Sequence, residues 1–566
     1  MVCQGLEDTE CTNITINSKK IGLNELKNIN IIVSERFGWK KHQIGEFDIW
    51  FNGYILNDEK MSFLNRGAEL LHSDLSTNND FDDWVRSTQG HFSFIISNKK
   101  KILCSVDHVR TIPLFYTLSS IEIIVSNHAP NISKIISTNE KKYNKQAALE
   151  ISMSGYTIGK KTLYENIFQL TAGEMLLFNN GELNREYYYT YTPWLVKNRT
   201  LTSLKNKFKD VFLSSLEEVV KESSGRQIVV PLSAGNDSRA IASALKYIGS
   251  KNVLCFSYGR KNNFEMSAGQ LISDKLGYKW IGIPLTLAGQ RKFNHSNEFK
   301  SFLSATDMFS SSPHIQEVSA ISMLRKNKLI DNNAIILNGS TGDYISGGHI
   351  PTNHLGPAIN MDDYFESFLS KHYGLWKNLS TNSNNSYIYK ELISNFEQRC
   401  NVDINNIKTT HGVLECMEYL GRQSKYIMSM QRVYEFYGFD WRLPFWSNQM
   451  LDFWESVPVD YKYNSNLYKS TLVENNWGGV WTSEFNLNNN PFNKTINSLR
   501  LILKFCALPF GESGKQLIDK NIYGYMSDIT CNSSIVPYSK MLFDTKGYRN
   551  NVSWISKKYL NNKSLN

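Results

Sequence analysis

The residue pattern best suited to chemistry lies between Val229 and Arg239, where an apolar, strand-like run passes through small residues directly into a helical pattern. Small residues let backbone N–H groups close around an anion, and the amino end of the following helix adds partial positive charge. Ser233 and Ser238 can donate hydroxyl groups, and the carboxylate of Asp237 is a suitable ligand for Mg²⁺. No Walker-type lysine is present, which excludes a loop for β,γ-phosphate cleavage. The competing interpretation is an ordinary strand–helix turn with serine caps.

Alternating strand and helix patterns surround this loop and must position it. Apolar runs predict strands at residues 227–232, 253–258, 280–285 and 334–337. Helical periodicity predicts helices at about 202–221, from about 238, at 265–276 and near 315–325. Such alternation indicates a parallel, doubly wound sheet, whose ligands bind beyond the carboxyl ends of the strands. From about residue 355 the pattern is helical and aromatic-rich.

The first 190 residues have a different pattern, made of short β-branched and aromatic runs between Asn, Gly and Lys clusters. These runs predict strands at 47–51, 91–96, 102–106, 121–125 and 174–178. A looser segment at 187–199 predicts a linker. The predicted fold class is therefore mixed α/β and α+β, with a β-rich sandwich domain at 1–190 and a doubly wound domain with a helical C-terminal part at 200–566.

Composition excludes several classes of function. The net charge of +9 is modest for 566 residues, so no nucleic-acid partner is expected. None of the eight cysteines forms a CxxC pair, which argues against zinc and redox motifs. No stretch approaches the roughly 20 apolar residues of a membrane helix, and the sequence MVCQGLEDTE does not have the pattern of a signal peptide. A cytoplasmic protein without a membrane partner is expected.

The loop Ser233–Arg239 has the form S-x-G-x-D-S-R and resembles the pyrophosphate loop of ATP pyrophosphatases, which cleave ATP between the α and β phosphates. The resemblance extends to the asparagine synthetase family over roughly residues 45–480. Residues 337–344, with Gly347 and Gly348, are similar to its S-G-E-G-x-D-E loop, and residues 440–445 are similar to its E-x-R-x-P-F segment. The resemblance implies ATP and Mg²⁺ as cofactors, and an ATP-pyrophosphatase domain that follows a glutaminase-like domain.

The resemblance also implies roles for individual residues. Asp237 and Asp343 are the implied metal ligands, and Asp343 and Lys469 are the implied catalytic residues. Two carboxylates for Mg²⁺ and one cation at the α-phosphate suit adenylation of a carboxylate. The implied nucleotide-binding residues are Ser233, Ala234, Gly235, Asn236, Asp237, Ser238, Arg239, Phe256, Ser257 and Gly339. The competing interpretations are a turn-forming Asp343 and a solvated surface Lys469.

Two departures affect the nucleophile half of the reaction. Ser340 stands where the family has a Glu associated with handling ammonia, and Tyr344 replaces the Glu after the Asp. A serine hydroxyl is not a comparable base near neutral pH. Asparagine is therefore not the expected product.

The N-terminal part resembles the glutaminase domain in patches. Residues 51–57 are similar to the family's F-N-G-E-I-Y-N, whose Asn and Gly form an oxyanion hole, and residues 107–116 are similar to D-R-x-G-x-x-P-L-Y-Y. An N-terminal cysteine nucleophile uses its own α-amine as base, yet Val2 precedes Cys3. Gln89 also stands where the family has a glutamine-binding Asp. An inactive glutaminase-like domain is the expectation.

These residues together predict an ATP-dependent ligase that forms an amide bond by adenylating a small-molecule or peptide carboxylate, with release of AMP and pyrophosphate. Relatives without the glutaminase Cys include β-lactam synthetases and lasso-peptide cyclases, and others amidate sugar acids of surface polysaccharides. One alternative is a glutamine-dependent asparagine synthase or amidotransferase. Another is a non-catalytic nucleotide-binding protein. The sequence does not select an oligomeric state, and a homodimer stays open.

Overall fold

A computed structural model describes most of the chain. The described residues are 9–15, 28–56, 59–73, 75–98, 100–119, 122–136, 141–179, 182–197, 199–351, 361–402, 404, 407, 410–485, 494–511, 514, 518 and 528–564. Met1, Val2 and Cys3, on which the expectation about the cysteine nucleophile depends, lie outside them.

The strands up to residue 187 form two sheets. The first has the order β1-β2-β8-β7-β9, with β2 and β8 parallel and the other pairs antiparallel. The second is antiparallel throughout, with the order β11-β10-β6-β5-β4-β3. The strand bounds are β1 Thr9–Thr15, β2 Asn28–Ser34, β3 Lys40–Ile44, β4 Phe47–Ile55, β5 Gly90–Ser97, β6 Ile102–Val106, β7 Phe115–Leu118, β8 Glu122–Ser126, β9 Phe168–Gln169, β10 Glu174–Asn179 and β11 Glu182–Tyr187.

The later strands form one parallel sheet with the order β14-β13-β12-β15-β16. Its strands are β12 Ile228–Pro231, β13 Val253–Arg260, β14 Lys279–Leu285, β15 Ile335–Leu337 and β16 Asp440–Arg442. The strand order changes direction between β12 and β15, which is where sheets of this kind bind ligands. The predicted fold class is confirmed. The sequence patterns did not indicate β16, because three residues are too few to show a periodicity.

Helices surround these sheets and make up the C-terminal part. Up to the parallel sheet they are α1 Lys60–His72, α2 Asn78–Ser87, α3 Ala129–Ile135, α4 Lys145–Ser154 and α5 Leu201–Ser223. Within the sheet region they are α6 Asn236–Tyr247, α7 Phe264–Leu276, α8 Leu287–Asn294, α9 Asn297–Ala305, α10 Val318–Lys326 and α11 Gly342–Ile345. The rest are α12 Met361–His372, α13 Asn382–Cys400, α14 Thr410–Glu418, α15 Gln431–Phe436, α16 Asn448–Glu455, α17 Val459–Lys462, α18 Asn466–Asn475, α19 Lys494–Cys506, α20 Tyr538–Leu542 and α21 Asn551–Ser564. None of the helices in the described ranges has the length and apolarity needed to span a membrane.

The predicted linker at 187–199 is a packed segment. The described residues after Tyr187 in this segment, 188–197 and 199, form no helix or strand, but Tyr188, Tyr189 and Tyr191 are buried. The Tyr189 hydroxyl donates to Glu455 at 2.9 Å, so the segment is fixed against α16. Aromatic residues cover much apolar area, and burying them ties the segment to the helical part that follows.

Helix α5 supports the elements at the edge of the parallel sheet. The Phe212 ring stacks on Phe445 with centroids 5.0 Å apart, and the Phe208 ring meets Tyr468 edge-on at 5.6 Å. Tyr468 lies on α18, next to Lys469. The apolar face predicted for this helix therefore helps to hold two of the segments that reach the carboxyl end of the sheet.

Candidate functional site

The segment Leu232–Gly235 connects the carboxyl end of β12 to the amino end of α6. The Ser238 hydroxyl accepts from the Ser233 backbone N–H at 3.0 Å and lies 3.0 Å from the Ser233 hydroxyl. The Gly235 N–H donates to the Ser233 hydroxyl at 3.1 Å. The serines therefore brace the loop, while the first N–H groups of α6 lack helical partners, as at any helix start.

One loop amide is held by a carboxylate. The Ala234 N–H donates to Glu265, on the first turn of α7, at 2.6 Å. Burial raises the pKa of Glu265. The loop thus already carries an acidic side chain on an N–H group that could bind an anion.

The carboxylate of Asp237 receives two directed hydrogen bonds. The Tyr468 hydroxyl donates to Oδ1 and the Asp343 N–H donates to Oδ2, each at 3.0 Å. Burial and then the charge of Asp343 raise the pKa of Asp237 above its usual range. A second acid beside a partly buried carboxylate is a costly arrangement unless a cation is shared between them.

Two glycines allow this close approach. A Cβ on Gly339 would lie 2.9 Å from the Ser238 nitrogen, and a Cβ on Gly342 would lie 2.7 Å from the carboxylate of Asp237. The loop after β15 can therefore pack against the start of α6 only with glycine at these positions.

Asp343 contacts a charged histidine. The exposed fraction of the Asp343 side chain is 61%, and the Asp343 Oδ2 accepts from His349 Nε2 at 3.2 Å. The other ring nitrogen of His349 donates to the buried Glu418 at 2.8 Å. Burial acts to lower the pKa of His349, but these two hydrogen bonds raise it to about 9. Partial burial acts to raise the pKa of Asp343, and the bond and charge of His349 outweigh it and lower that pKa.

A cavity of about 570 Å³ opens at this edge of the sheet and brings most of the predicted residues together. The predicted residues that line it are Ser233, Gly235, Asn236, Asp237, Ser238, Phe256, Ser257, Gly339, Asp343 and Lys469. Lys469 is exposed there, and its Nζ donates to the Asn464 carbonyl at 2.8 Å. The Ser257 hydroxyl is used internally, because it donates to the Leu232 carbonyl at 2.6 Å.

Two predicted residues do not line the cavity. Arg239 is buried, and its guanidinium donates to the carbonyls of Ala234 at 2.9 Å and Phe485 at 3.2 Å. It also lies over the Trp481 ring at 5.2 Å. Arg239 thus supports the loop from the side away from the cavity. The second residue is Ala234, whose N–H is bonded to Glu265 as described above.

Two family models match the chain. The model of a glutamine amidotransferase domain matches residues 70–189, and the model of asparagine synthase matches residues 211–475. The second range contains the loop at Ser233, Asp343 and Lys469. The chain has the two-domain architecture of the asparagine synthetase family.

Comparison with individual proteins adds little to this assignment. No curated protein sequence gives a significant match. A solved structure of glutamine phosphoribosylpyrophosphate amidotransferase from B. subtilis, complexed with ADP and GMP, is 11% identical, with a TM-score of 0.18, and the match covers 53% of this chain and 63% of that one. A structure titled as the allosteric regulatory enzyme of purine biosynthesis is 13% identical, with a TM-score of 0.18, and coverage of 45% and 72%. The match thus covers less than two thirds of the length of the first of these structures. These TM-scores carry no conclusion about this chain.

In this asparagine synthetase-like chain, the acids at the cavity fit a metal shared with phosphates. The described residues contain no group of three or more His, Cys, Asp or Glu that could hold a metal by itself. Mg²⁺ usually takes only one or two carboxylates and completes its shell with phosphate and water oxygens. Asp237 and Asp343, which lie together at the cavity, are such a pair.

Sequence reasoning missed four side chains at this site: Glu265, Glu317, His349 and Tyr468. All but His349 line the cavity, and His349 reaches it through Asp343. His349 follows Gly347 and Gly348 directly, so its position was a usable signal. The others are distant in sequence from the residues they contact, and no spacing pattern indicates them.

The residues that resemble a glutaminase oxyanion hole, Asn52 and Gly53, are hydrogen-bonded to each other. Asn52 and Gly53 lie on β4, and the Gly53 N–H donates to the Asn52 side-chain oxygen at 2.8 Å. Tyr54 lies beneath the guanidinium of Arg442, which is 3.8 Å from the ring centroid. The segments 51–54 and 439–442 line a common cavity of about 380 Å³.

Proposed function

We propose that this chain activates a carboxylic acid with ATP and transfers the acyl group to an amine, releasing pyrophosphate and AMP. One observation carries the proposal: the pyrophosphate-type loop, the Asp237–Asp343 pair and Lys469 line a single cavity at the carboxyl end of the parallel sheet. The match to the asparagine synthase model over residues 211–475 supports an ATP-dependent synthetase reaction.

Each residue has a role in this proposal. The Ser233–Ser238 loop and the amino end of α6 bind the β and γ phosphates, for which Glu265 must release the Ala234 N–H. Mg²⁺ held by Asp237 and Asp343 would neutralise charge on the phosphate oxygens. The carboxylate oxygen attacks the α-phosphorus, the bond to the β-phosphate oxygen breaks, and pyrophosphate leaves. Lys469 stabilises the negative charge that develops at the α-phosphate during this step.

The acid is proposed to be a small-molecule or peptide carboxylate other than aspartate. Ser340 provides no carboxylate at the position that the family uses for ammonia, so an asparagine synthase reaction is not favoured. An acid of surface-polysaccharide or secondary-metabolite biosynthesis is consistent with this difference. A screen of pyrophosphate release over uronic acids, amino acids and N-acyl amino acids tests the proposal. Release that depends on one acid supports it, and the formation of ADP instead of AMP would refute it.

The substitution Gly342→Ala is expected to lower acid-dependent exchange of labelled pyrophosphate into ATP roughly tenfold, equivalent to about 1.4 kcal/mol of barrier. The added Cβ would lie 2.7 Å from the Asp237 carboxylate and must displace it. Gly289→Ala on α8, outside the cavity, is the control and should retain wild-type exchange. Full activity of Gly342→Ala with an unchanged melting temperature would show that the Asp237 position is not critical.

A glutamine-dependent reaction is the second candidate, because residues 70–189 match the glutamine amidotransferase model and the sequence Asn52–Gly53 resembles the family's oxyanion-hole pattern. We expect that glutamine is not the nitrogen donor. Gln89 is neutral where the family has the carboxylate that binds the ammonium group of glutamine. Glutamine with ATP and the acid substrate should release no glutamate above the background without enzyme, while free ammonium or another amine should support turnover. Glutamate release that is abolished by Cys3→Ala would establish the glutamine-dependent reaction instead.

A further inference from the structure

The cavity contains a buried carboxylate that the adenylation chemistry does not use. Glu317, directly before α10, is 7% exposed and lines the same cavity as Asp237 and Lys469. Its carboxylate accepts from the Tyr258 hydroxyl at 3.3 Å and from the Tyr434 hydroxyl at 2.6 Å. Among the described residues, no Lys, Arg or His forms an ion pair with it.

The surrounding amides fix the direction of these hydrogen bonds. The Gln316 amide donates to the Tyr258 hydroxyl at 3.1 Å, and the Asn338 amide donates to the Tyr434 hydroxyl at 2.7 Å. Each hydroxyl has one proton, so both tyrosines donate that proton to Glu317. The carboxylate therefore acts as an acceptor on both oxygens and retains lone pairs for an N–H donor from a ligand.

The same network reaches the position where the family acid is missing. The Ser340 hydroxyl donates to the Asn338 side-chain oxygen, and the Asn338 nitrogen donates to Tyr434, which donates to Glu317. Ser340, Asn338 and Glu317 all line the cavity. An acid from a different part of the chain is thus linked to Ser340 through Asn338 and Tyr434 and lines the same cavity.

The charges of the cavity favour a cation at this point. The charged residues that line it are Asp237, Glu265, Glu317, Asp343 and Lys469. Mg²⁺ and Lys469 are assigned to the phosphates, whereas the described partners of Glu317 are two neutral hydroxyls. A buried carboxylate without a cationic partner is stabilised most by a ligand that supplies the positive charge.

We propose that Glu317 binds the protonated amine of the acceptor substrate and takes a proton from it during amide formation. The inference rests on the proposed function. One proton of the ammonium group passes to Glu317, which frees the nitrogen lone pair. The N–C bond then forms and the C–O bond to phosphate breaks. AMP leaves with that electron pair, and the second proton passes to solvent. Burial raises the pKa of Glu317, which makes it a stronger proton acceptor, although both tyrosine bonds act in the opposite direction.

The test measures two half-reactions separately in the Glu317→Gln variant: acid-dependent ATP–pyrophosphate exchange and amine-dependent amide formation. The acid that gives the strongest wild-type ATP–pyrophosphate exchange is used, with ammonium chloride, glycinamide or glucosamine as the amine. Exchange should stay within about twofold of wild type, while amine-dependent amide formation should fall roughly 10²-fold, with a higher KM for the amine. Glu317→Asp should recover part of the loss. The three amines distinguish ammonia from a larger acceptor.

Glu455→Gln is the matched control, because Glu455 also accepts a tyrosine hydroxyl, from Tyr189 at 2.9 Å, but lies outside the cavity. It should leave both half-reactions unchanged. An equal loss of exchange and amide formation in Glu317→Gln, or unchanged amide formation, would overturn the assignment of Glu317. Absence of acid-dependent exchange in the wild-type protein would overturn the proposed function itself, and this inference with it.

Discussion

Replacing Asp237 by Ala is expected to lower acid-dependent ATP–pyrophosphate exchange by roughly 10² or more, equivalent to about 3 kcal/mol. Asp237 is the carboxylate that Tyr468 and the Asp343 N–H orient at the cavity, next to the pyrophosphate-type loop. Its removal would take away one of the two acids that can share Mg²⁺ with the phosphates. The loss should appear in turnover at saturating ATP, measured with labelled pyrophosphate.

The variant Asp237→Asn separates charge from packing, since the amide has the shape of the carboxylate: its oxygen can accept from the Asp343 N–H, and its N–H can donate to the Tyr468 hydroxyl oxygen. It should be nearly as inactive as the alanine variant but melt at the wild-type temperature. Asp274→Asn, on the exposed last turn of α7, controls for loss of one negative charge elsewhere and should retain full activity. Near-normal exchange in Asp237→Ala would remove the loop from the mechanism.

Replacing Lys469 by Ala is expected to depress kcat roughly 10²–10³-fold while the KM for ATP changes much less. The reason is that the Lys469 ammonium group stabilises the negative charge that develops at the α-phosphate in the transition state. In the structure the Lys469 Nζ donates to the Asn464 carbonyl at 2.8 Å at the cavity wall. The side chain is exposed and has no ion-pair partner among the described residues. Initial-rate measurements over a range of ATP concentrations give both constants.

Lys205→Ala is a suitable control for this lysine. Lys205 pairs with Glu474 at 2.8 Å, on the same helix as Lys469, but lies outside the cavity. Its removal should alter neither constant. If Lys469→Ala raised only the KM, the lysine would bind substrate and transition state equally, and the transition-state role would be wrong.

Local signals in the sequence were sufficient to predict the helices and strands that hold the loop at Ser233. The apolar run before Ser233 predicted β12, and the start of α6 lies within two residues of the prediction. Gly277 ends α7 in the left-handed conformation, directly after the helix predicted at 265–276. Such signals lie within a few residues of the feature that they specify, so a single sequence contains them.

The contacts that complete the site could not be predicted in this way. Tyr468 and Asp237 are 231 positions apart, and Ala234 and Glu265 are 31 apart, so their pairing depends on the tertiary fold. The resemblance implied that Arg239 binds the nucleotide, because of its place in the S-x-G-x-D-S-R motif. Its position on α6 instead turns the guanidinium toward backbone carbonyls and the Trp481 ring, away from the cavity.

The network around Glu317 illustrates the same difficulty. Its members come from β13, the loop after β15, the residue directly before α10, and α15, and of these only the loop after β15 belongs to a motif that the sequence shows. The sequence revealed only that Ser340 lacks a carboxylate. The structure brings another carboxylate to the same cavity, through Asn338 and Tyr434.

The fate of a carboxylate oxygen tests acyl adenylation most directly. The acid that supports pyrophosphate release is labelled with ¹⁸O in both carboxylate oxygens, and the reaction with ATP and an amine is analysed by mass spectrometry. One ¹⁸O atom is expected in AMP and one in the amide, because the oxygen that attacks the α-phosphorus leaves with it. Label in inorganic phosphate together with ADP, or AMP without label, would contradict acyl adenylation.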